Sequence, residues 1–306
     1  MLSPSRARTA GMLAFLIIVW GFNWPLSKIA LNYAPPLLFA GIRTVIGGVL
    51  LILIALPRYK QLRFRQNWGV YLLSALVNIV LFYGLQTVGL GYIPSGLFSS
   101  IVFLQPVLLG LISWLWFGEA MYGLKVIGLI LGFIGVAAIS AGALSAHVST
   151  IGILLALGTS VSWALGTALI KKVGPRVDAV WLVAVQLTLG GLFLTGTGSV
   201  TESWGSIHWN GAFLANLLFI SIFVIAFGWL AYFTLMGEGE ASKVASFTFL
   251  IPVVSISASA VLMGEHITVN LIIGLLMILL SIVFVNMKPR AAASRASLVS
   301  AHKSVK

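Results

Sequence analysis

Apolar residues run through this chain in ten blocks, at roughly 11–31, 36–57, 67–88, 94–117, 123–142, 151–171, 178–197, 211–235, 241–262 and 268–287. Each is long enough to cross about 30 Å of hydrocarbon as a helix. None shows the strict polar alternation of a half-buried strand. The connections are short, mostly between four and thirteen residues, and 288–306 reads as a basic tail. The pattern predicts an all-α integral membrane protein with ten transmembrane helices.

One block occurs twice. From Phe103 the chain reads FLQPV, then eleven mostly apolar residues, then Gly118-Glu119; from Phe249 it reads FLIPV, eleven more, then Gly264-Glu265. Pro106 and Pro252 stand 146 positions apart (252 − 106), as do Glu119 and Glu265, and Gly128 and Gly274 keep the offset. Shared spacing across three landmarks marks two copies of one unit. The boundaries this implies are a first five-helix repeat at 11–142, a second at 151–287, and the tail at 288–306.

Composition supports the same solvent. The chain is 60% hydrophobic and 8% charged, whereas soluble domains run at about 45–50% and about 25%. Its mean hydropathy is +1.09. A soluble fold would need a charged skin that this chain lacks. The apolar run from Gly11 is too long for a cleavable signal peptide and leads straight into another span. The net charge of +12 does not point to nucleic acid, because the 18 Lys and Arg gather in short loops and the tail rather than on one face. With no cysteine there are no disulfides, thiolate metal sites or Cys nucleophiles. His147, His208, His266 and His302 have no metal-like spacing. No cofactor is expected.

The cations set an orientation. With the N-terminus in the cytoplasm, 16 of the 18 Lys and Arg fall on that side, and only Lys28 and Arg43, both inside predicted spans, remain. The positive-inside rule therefore places both termini in the cytoplasm. Five helices per copy is an odd number, so the second copy enters the membrane from the opposite face. Two inverted halves that can exchange outward-open and inward-open shapes are a common carrier architecture.

The doubled FL-x-PV segment, its Gly-Glu thirteen positions after the proline, and the opening Trp20-Gly-Phe-Asn23-Trp24 resemble the drug/metabolite transporter superfamily, and its EamA-type permeases in particular. The resemblance covers about 11–142 and 151–287. It implies a multi-pass protein of the bacterial inner membrane that moves amino acids, other metabolites or drugs, usually outward. It identifies no single member.

Several residues are candidates for the transport path. Trp20, Trp24, Ser27 and Lys28 share one helical face, and Trp163, Thr167 and Lys171 repeat the spacing in the second half. Trp20 and Trp163 lie midway along their spans, which fits a central cavity better than an interfacial belt. Lys171, beside Lys172, reads as a topology charge, and Lys28 as a cation that snorkels. Arg43 sits about seven residues into its helix, where an unpaired guanidinium is costly, so it faces the protein interior or a wet cavity. It could grip a substrate carboxylate, or it could snorkel outward or bond helix-end carbonyls. Asn78, Gln86, Gln105 and Gln186 could bond substrate or a neighbouring helix; the interhelical role is favoured for any one of them, and at least two are expected to reach the cavity. Tyr83 and Tyr232 are aromatic walls with a polar tip.

Pro106 and Pro252 are hinge candidates, with a static kink as the alternative. All six acids lie in connections or at helix ends, so no buried carboxylate relay is visible. Glu119 and Glu265 could anchor gates on opposite faces or couple transport to an ion; capping and solvation explain them as well. Gly128, Gly132 and Gly135 read as a close-packing face. The expected function is a secondary transporter working by alternating access, most simply an amino-acid or metabolite exporter, with a small molecule and the bilayer as partners. A monomer is compatible with the sequence, which does not fix the oligomeric state. The alternatives are a sugar-phosphate or drug/cation transporter of the same superfamily, or a passive channel. A membrane enzyme would need a nucleophile–base pair or metal cluster, and none is apparent.

Overall fold

The computed structural model describes residues 6–145, 149–237 and 250–287. Glu238, Glu240, Lys243, the 241–249 start of the predicted ninth span with Phe249, His147 and the 288–306 tail lie outside the described residues.

The described residues form helices and turns and no strand. Helices are what an apolar chain must form in lipid, since each backbone group has to be satisfied within its own segment. They are α1 (Arg6–Ala30), α2 (Pro36–Ala55), α3 (Phe64–Leu90), α4 (Ser95–Phe117), α5 (Gly123–Ser145), α6 (Thr150–Val173), α7 (Ala179–Thr201), α8 (Gly211–Tyr232, continuing helically to Gly237), α9 (Leu250–Met263) and α10 (Val269–Asn286). Seven of these are long and apolar enough to cross a membrane, and three further apolar stretches, Gly123–Ile139, Leu250–Met263 and Val269–Val285, are shorter.

Local chemistry explains where these helices start. Asp178 accepts from the Trp181 amide (2.9 Å) and Asn210 from that of Phe213 (2.8 Å), each satisfying an orphan donor of the first turn. Two starts are capped from a distance. Glu202, just past α7, accepts from the Leu37 and Leu38 amides of α2 at 3.0 and 2.8 Å. Glu265, just past α9, accepts from the Ser95 and Gly96 amides of α4 at 2.7 and 3.0 Å. Carboxylates at these positive helix ends are favourable.

The repeat is visible in the backbone. Gly118 and Gly264 both end their helices at positive φ (+64° and +67°), the conformation that glycine adopts without a Cβ penalty. The following amides then reach back, Glu119 to the Ser113 carbonyl and Glu265 to that of Ser259. A π-helical stretch interrupts α3 at Leu76–Leu81 and α8 at Ile220–Phe227, and the two end 146 residues apart (227 − 81). Helix α4 is broken at Phe103–Leu104, so that Pro106 falls in the first turn of the second segment, where a missing N–H does no harm.

Packing is closest where glycines face another helix. A Cβ on Gly48 of α2 would lie 2.7 Å from the Thr188 backbone nitrogen of α7, and one on Gly191 of α7 would lie 2.6 Å from the Thr44 hydroxyl of α2. Gly128, Gly132 and Gly135 of α5 press in the same way on Ser281 and Gly274 of α10. Both seams join helices from different repeats. Outward faces stay apolar, with Leu115, Trp116, Phe193, Val200 and Val261 all exposed, a surface suited to lipid.

Candidate functional site

Six helices converge on one aromatic cavity. Trp20, Asn23 and Trp24 come from α1, Phe82 and Tyr83 from α3, Phe103 from the break in α4, Trp163 from α6, Val224 and Trp229 from α8, and Ile251 from α9. The π turns lie just before Phe82 and around Val224, and the α4 break puts Phe103 at a corner. Irregular backbone therefore aims three of these elements at the cavity, a common use of π-bulges.

The rings brace one another. Trp20 lies 5.4 Å from Trp229. Trp163 lies 5.6 Å from Phe82 and meets Phe103 edge-on at 5.7 Å. The Trp20 indole donates to the Val224 carbonyl at 3.2 Å, and glycine at position 228 makes room for that ring, since a Cβ there would come within 2.5 Å of its nitrogen. The cavity has about 40 Å³ open to water-sized molecules. That is room for a few waters.

A second, polar layer stands behind the first. Arg43 is fully buried. It donates to Ser27 Oγ (2.6 Å) and Gln86 Oε1 (3.3 Å), and its guanidinium sits over the rings of Phe39 and Tyr83 at 4.8 and 4.9 Å. Its Nε has no partner among the described residues, and no carboxylate faces it there. Ser27 passes the polarity on, donating to Asn23 Oδ1 at 3.2 Å. Tyr83 separates Arg43 from the cavity and accepts from the Trp229 indole at 3.1 Å.

The structure thus brings Trp20, Asn23, Trp24, Tyr83 and Trp163 to the cavity wall. Arg43 and Gln86 lie one layer back, and Tyr232 stacks behind Trp20 at 5.5 Å. Asn78 donates to Ser74 (3.0 Å) and to Gln186 (3.3 Å), tying α3 to α7. Gln105 donates to Thr167 at 3.3 Å, tying α4 to α6. None of the four amides Asn78, Gln86, Gln105 and Gln186 lines the cavity, where at least two are expected from sequence, because each is engaged by a neighbouring helix. Trp229, Phe103, Phe82, Val224 and Ile251 were not singled out from sequence. Trp229 was within reach, because it stands 146 positions after Tyr83.

At the ends of the helices, Glu119 pairs with Lys171 of α6 and with Lys125 (3.3 Å). The Lys171 ammonium, helped by Lys125, holds the Glu119 carboxyl below the usual carboxylate range. Its counterpart Glu265 caps α4, and Lys28 donates to the Ile93 carbonyl just before that cap. Lys28 and Lys171 therefore both have protein partners.

Comparison with known proteins adds relatives. The model of the EamA-like transporter family matches residues 9–141 and 150–287. The uncharacterized transporter YvbV of Bacillus subtilis (strain 168) is 61% identical over 291 residues, 95% of each chain. A probable amino-acid metabolite efflux pump of Escherichia coli (strain K12) is 26% identical over 274 residues, 86% of this chain and 89% of that one. A solved crystal structure shares the fold at TM-score 0.66 and 19% identity, over 92% of this chain and 96% of its own.

Proposed function

We propose that this chain, which belongs to the EamA-like transporter family, is an inner-membrane carrier that exports a small metabolite by alternating access. The family and the named relatives are transporters. In this reading ten helices cross the bilayer as two inverted five-helix halves, with both termini cytoplasmic. The short stretches α5, α9 and α10 complete the ten spans, with α5 and α10 packed on each other across a glycine seam.

One observation carries the reading: the two midspan tryptophans, Trp20 and Trp163, one from each repeat, line the same cavity. A site shared by two halves near the midplane can open to either face as the halves rock. The break at Phe103–Leu104 and the equivalent region of α9 with Pro252 serve as hinges. Glu119 and Glu265 hold opposite ends closed. The favoured cargo is an amphipathic amino acid, its side chain among the indoles and its carboxylate toward Arg43. The efflux pump of Escherichia coli (strain K12) supports that class. A sugar phosphate fits less well, since Arg43 is the one cation close behind the cavity wall among the described residues.

Counterflow in proteoliposomes tests the proposal. Saturable uptake of phenylalanine or another aromatic amino acid, stimulated by unlabelled substrate inside and lost in Trp20→Ala and Trp163→Ala, is expected. Uptake that does not saturate and ignores internal substrate would indicate a channel.

A further inference from the structure

From the direction of the hydrogen bonds around the cavity, we infer that the group recognised in its cargo is a carboxylate on an apolar body, and that an ammonium group is dispensable. This rests on the cavity being the substrate site.

The polarity of the wall is fixed from behind. Arg43 can only donate, so Ser27 Oγ accepts from it, and the Ser27 hydroxyl proton goes to Asn23 Oδ1. With its Oδ1 so engaged, Asn23, which lines the cavity, has its NH₂ donors left to give. Tyr83 is set in the same sense, because its oxygen accepts the Trp229 N–H and its own hydroxyl proton remains to give. The indoles of Trp24 and Trp163 have no partner among the described residues and are donors only. The Trp20 indole has taken the Val224 carbonyl, removing an acceptor from this wall.

The charge pattern agrees. Arg43 is a buried cation with no carboxylate facing it among the described residues, and its Nε is unpartnered. Its field falls on the cavity through Tyr83, and a bound anion would compensate it. An aromatic box can also hold a cation through ring faces. Here the face of Tyr83 is already taken by Arg43 at 4.9 Å, and the described acids lie at helix ends. A cationic ligand would meet donors and a like charge.

Titration calorimetry of the purified full chain in detergent tests this with four probes: phenylalanine, 3-phenylpropionate, phenethylamine and 3-phenylpropan-1-ol. The two carboxylates should bind within about threefold of each other, and phenethylamine at least about tenfold more weakly, a difference of ~1.4 kcal/mol. Asn23→Asp, which turns the wall's donor into an anion, should reverse that order. Tyr83→Phe, which keeps the ring, should weaken 3-phenylpropionate several-fold and leave the neutral alcohol unchanged. Binding of phenethylamine as tight as that of 3-phenylpropionate would overturn the inference and leave the cavity as the site. Binding of none of the four would overturn both.

Discussion

Trp229 donates its indole N–H to the Tyr83 hydroxyl at 3.1 Å, and the two residues are separated by 146 positions, the spacing that relates FLQPV to FLIPV. Equivalent residues of the two repeats thus touch each other at the cavity wall. Contact between equivalents is what a local two-fold axis produces, and it places the cavity where neither half owns it.

Equal dependence on both halves follows. Trp20→Ala and Trp163→Ala should each lower the rate of aromatic amino-acid counterflow by about tenfold or more, as removal of a wall worth ~1.4 kcal/mol would. Trp→Phe at either position keeps a ring and should retain most activity. A large loss from one position and none from the other would show that the cavity does not serve the two halves alike.

Charge and stability should separate at Arg43. Arg43→Ala should abolish transport of a carboxylated substrate without lowering the amount in the membrane. Arg43→Met, which keeps the volume, should also lose transport by at least about tenfold, yet melt no lower than the parent protein. A buried charge without a counter-ion costs free energy that an apolar side chain does not. Unchanged uptake in either variant would remove Arg43 from the path.

Glycines at seams and glycines at turns should behave differently. Gly48→Ala puts a Cβ 2.7 Å from the Thr188 backbone nitrogen, an overpacking that costs about 1–3 kcal/mol. Gly118→Ala and Gly264→Ala meet open space but keep positive φ, a strain of ~1–2 kcal/mol. Thermal unfolding in detergent should show similar shifts for the two turn variants, as befits equivalent positions. Gly48→Ala should also hinder folding into the membrane.

The Glu119–Lys171 pair should be visible in acid. Because the folded carboxyl is held below its ordinary range, its contribution is present above about pH 4.3, the unfolded glutamate value, and is lost as pH falls through the lower folded one. Glu119 is 41% exposed, so solvent screening limits the pair to about 1 kcal/mol or less. Glu119→Gln should remove this acid-side loss while leaving the melting temperature at pH 7 within about 2–4 °C. High salt should shrink the difference.

Hydropathy located the helices because lipid leaves the backbone little choice, and the 146-residue spacing was visible because both copies keep Pro, Gly and Glu in step. The cost of a charge in hydrocarbon assigned Arg43 to the interior or a wet cavity, and it is fully buried. Depth was another matter. Periodicity gives the face of a helix but not which layer a side chain reaches, so nothing indicated that Tyr83 would stand between Arg43 and the cavity. Nor could it show that Asn78 and Gln186 would bond each other across α3 and α7. The π turns at 76–81 and 220–227 carry no breaker residue, and without them the register that brings Phe82, Tyr83 and Trp229 inward is not readable.

The glycine seams divide the molecule by stiffness rather than by sequence. Where α2 meets α7 and α5 meets α10, backbone lies on backbone, and any sliding drives atoms into one another. Each seam is therefore a strut made of one helix from either repeat. By contrast, α4 and α9 meet through serine hydroxyls, Ser95 with Ser259 and Ser99 with Ser255, both at 2.8 Å, bonds that can be exchanged one at a time. In the proposed rocking of the two halves, movement is therefore expected at α4 and α9 rather than at the two glycine seams.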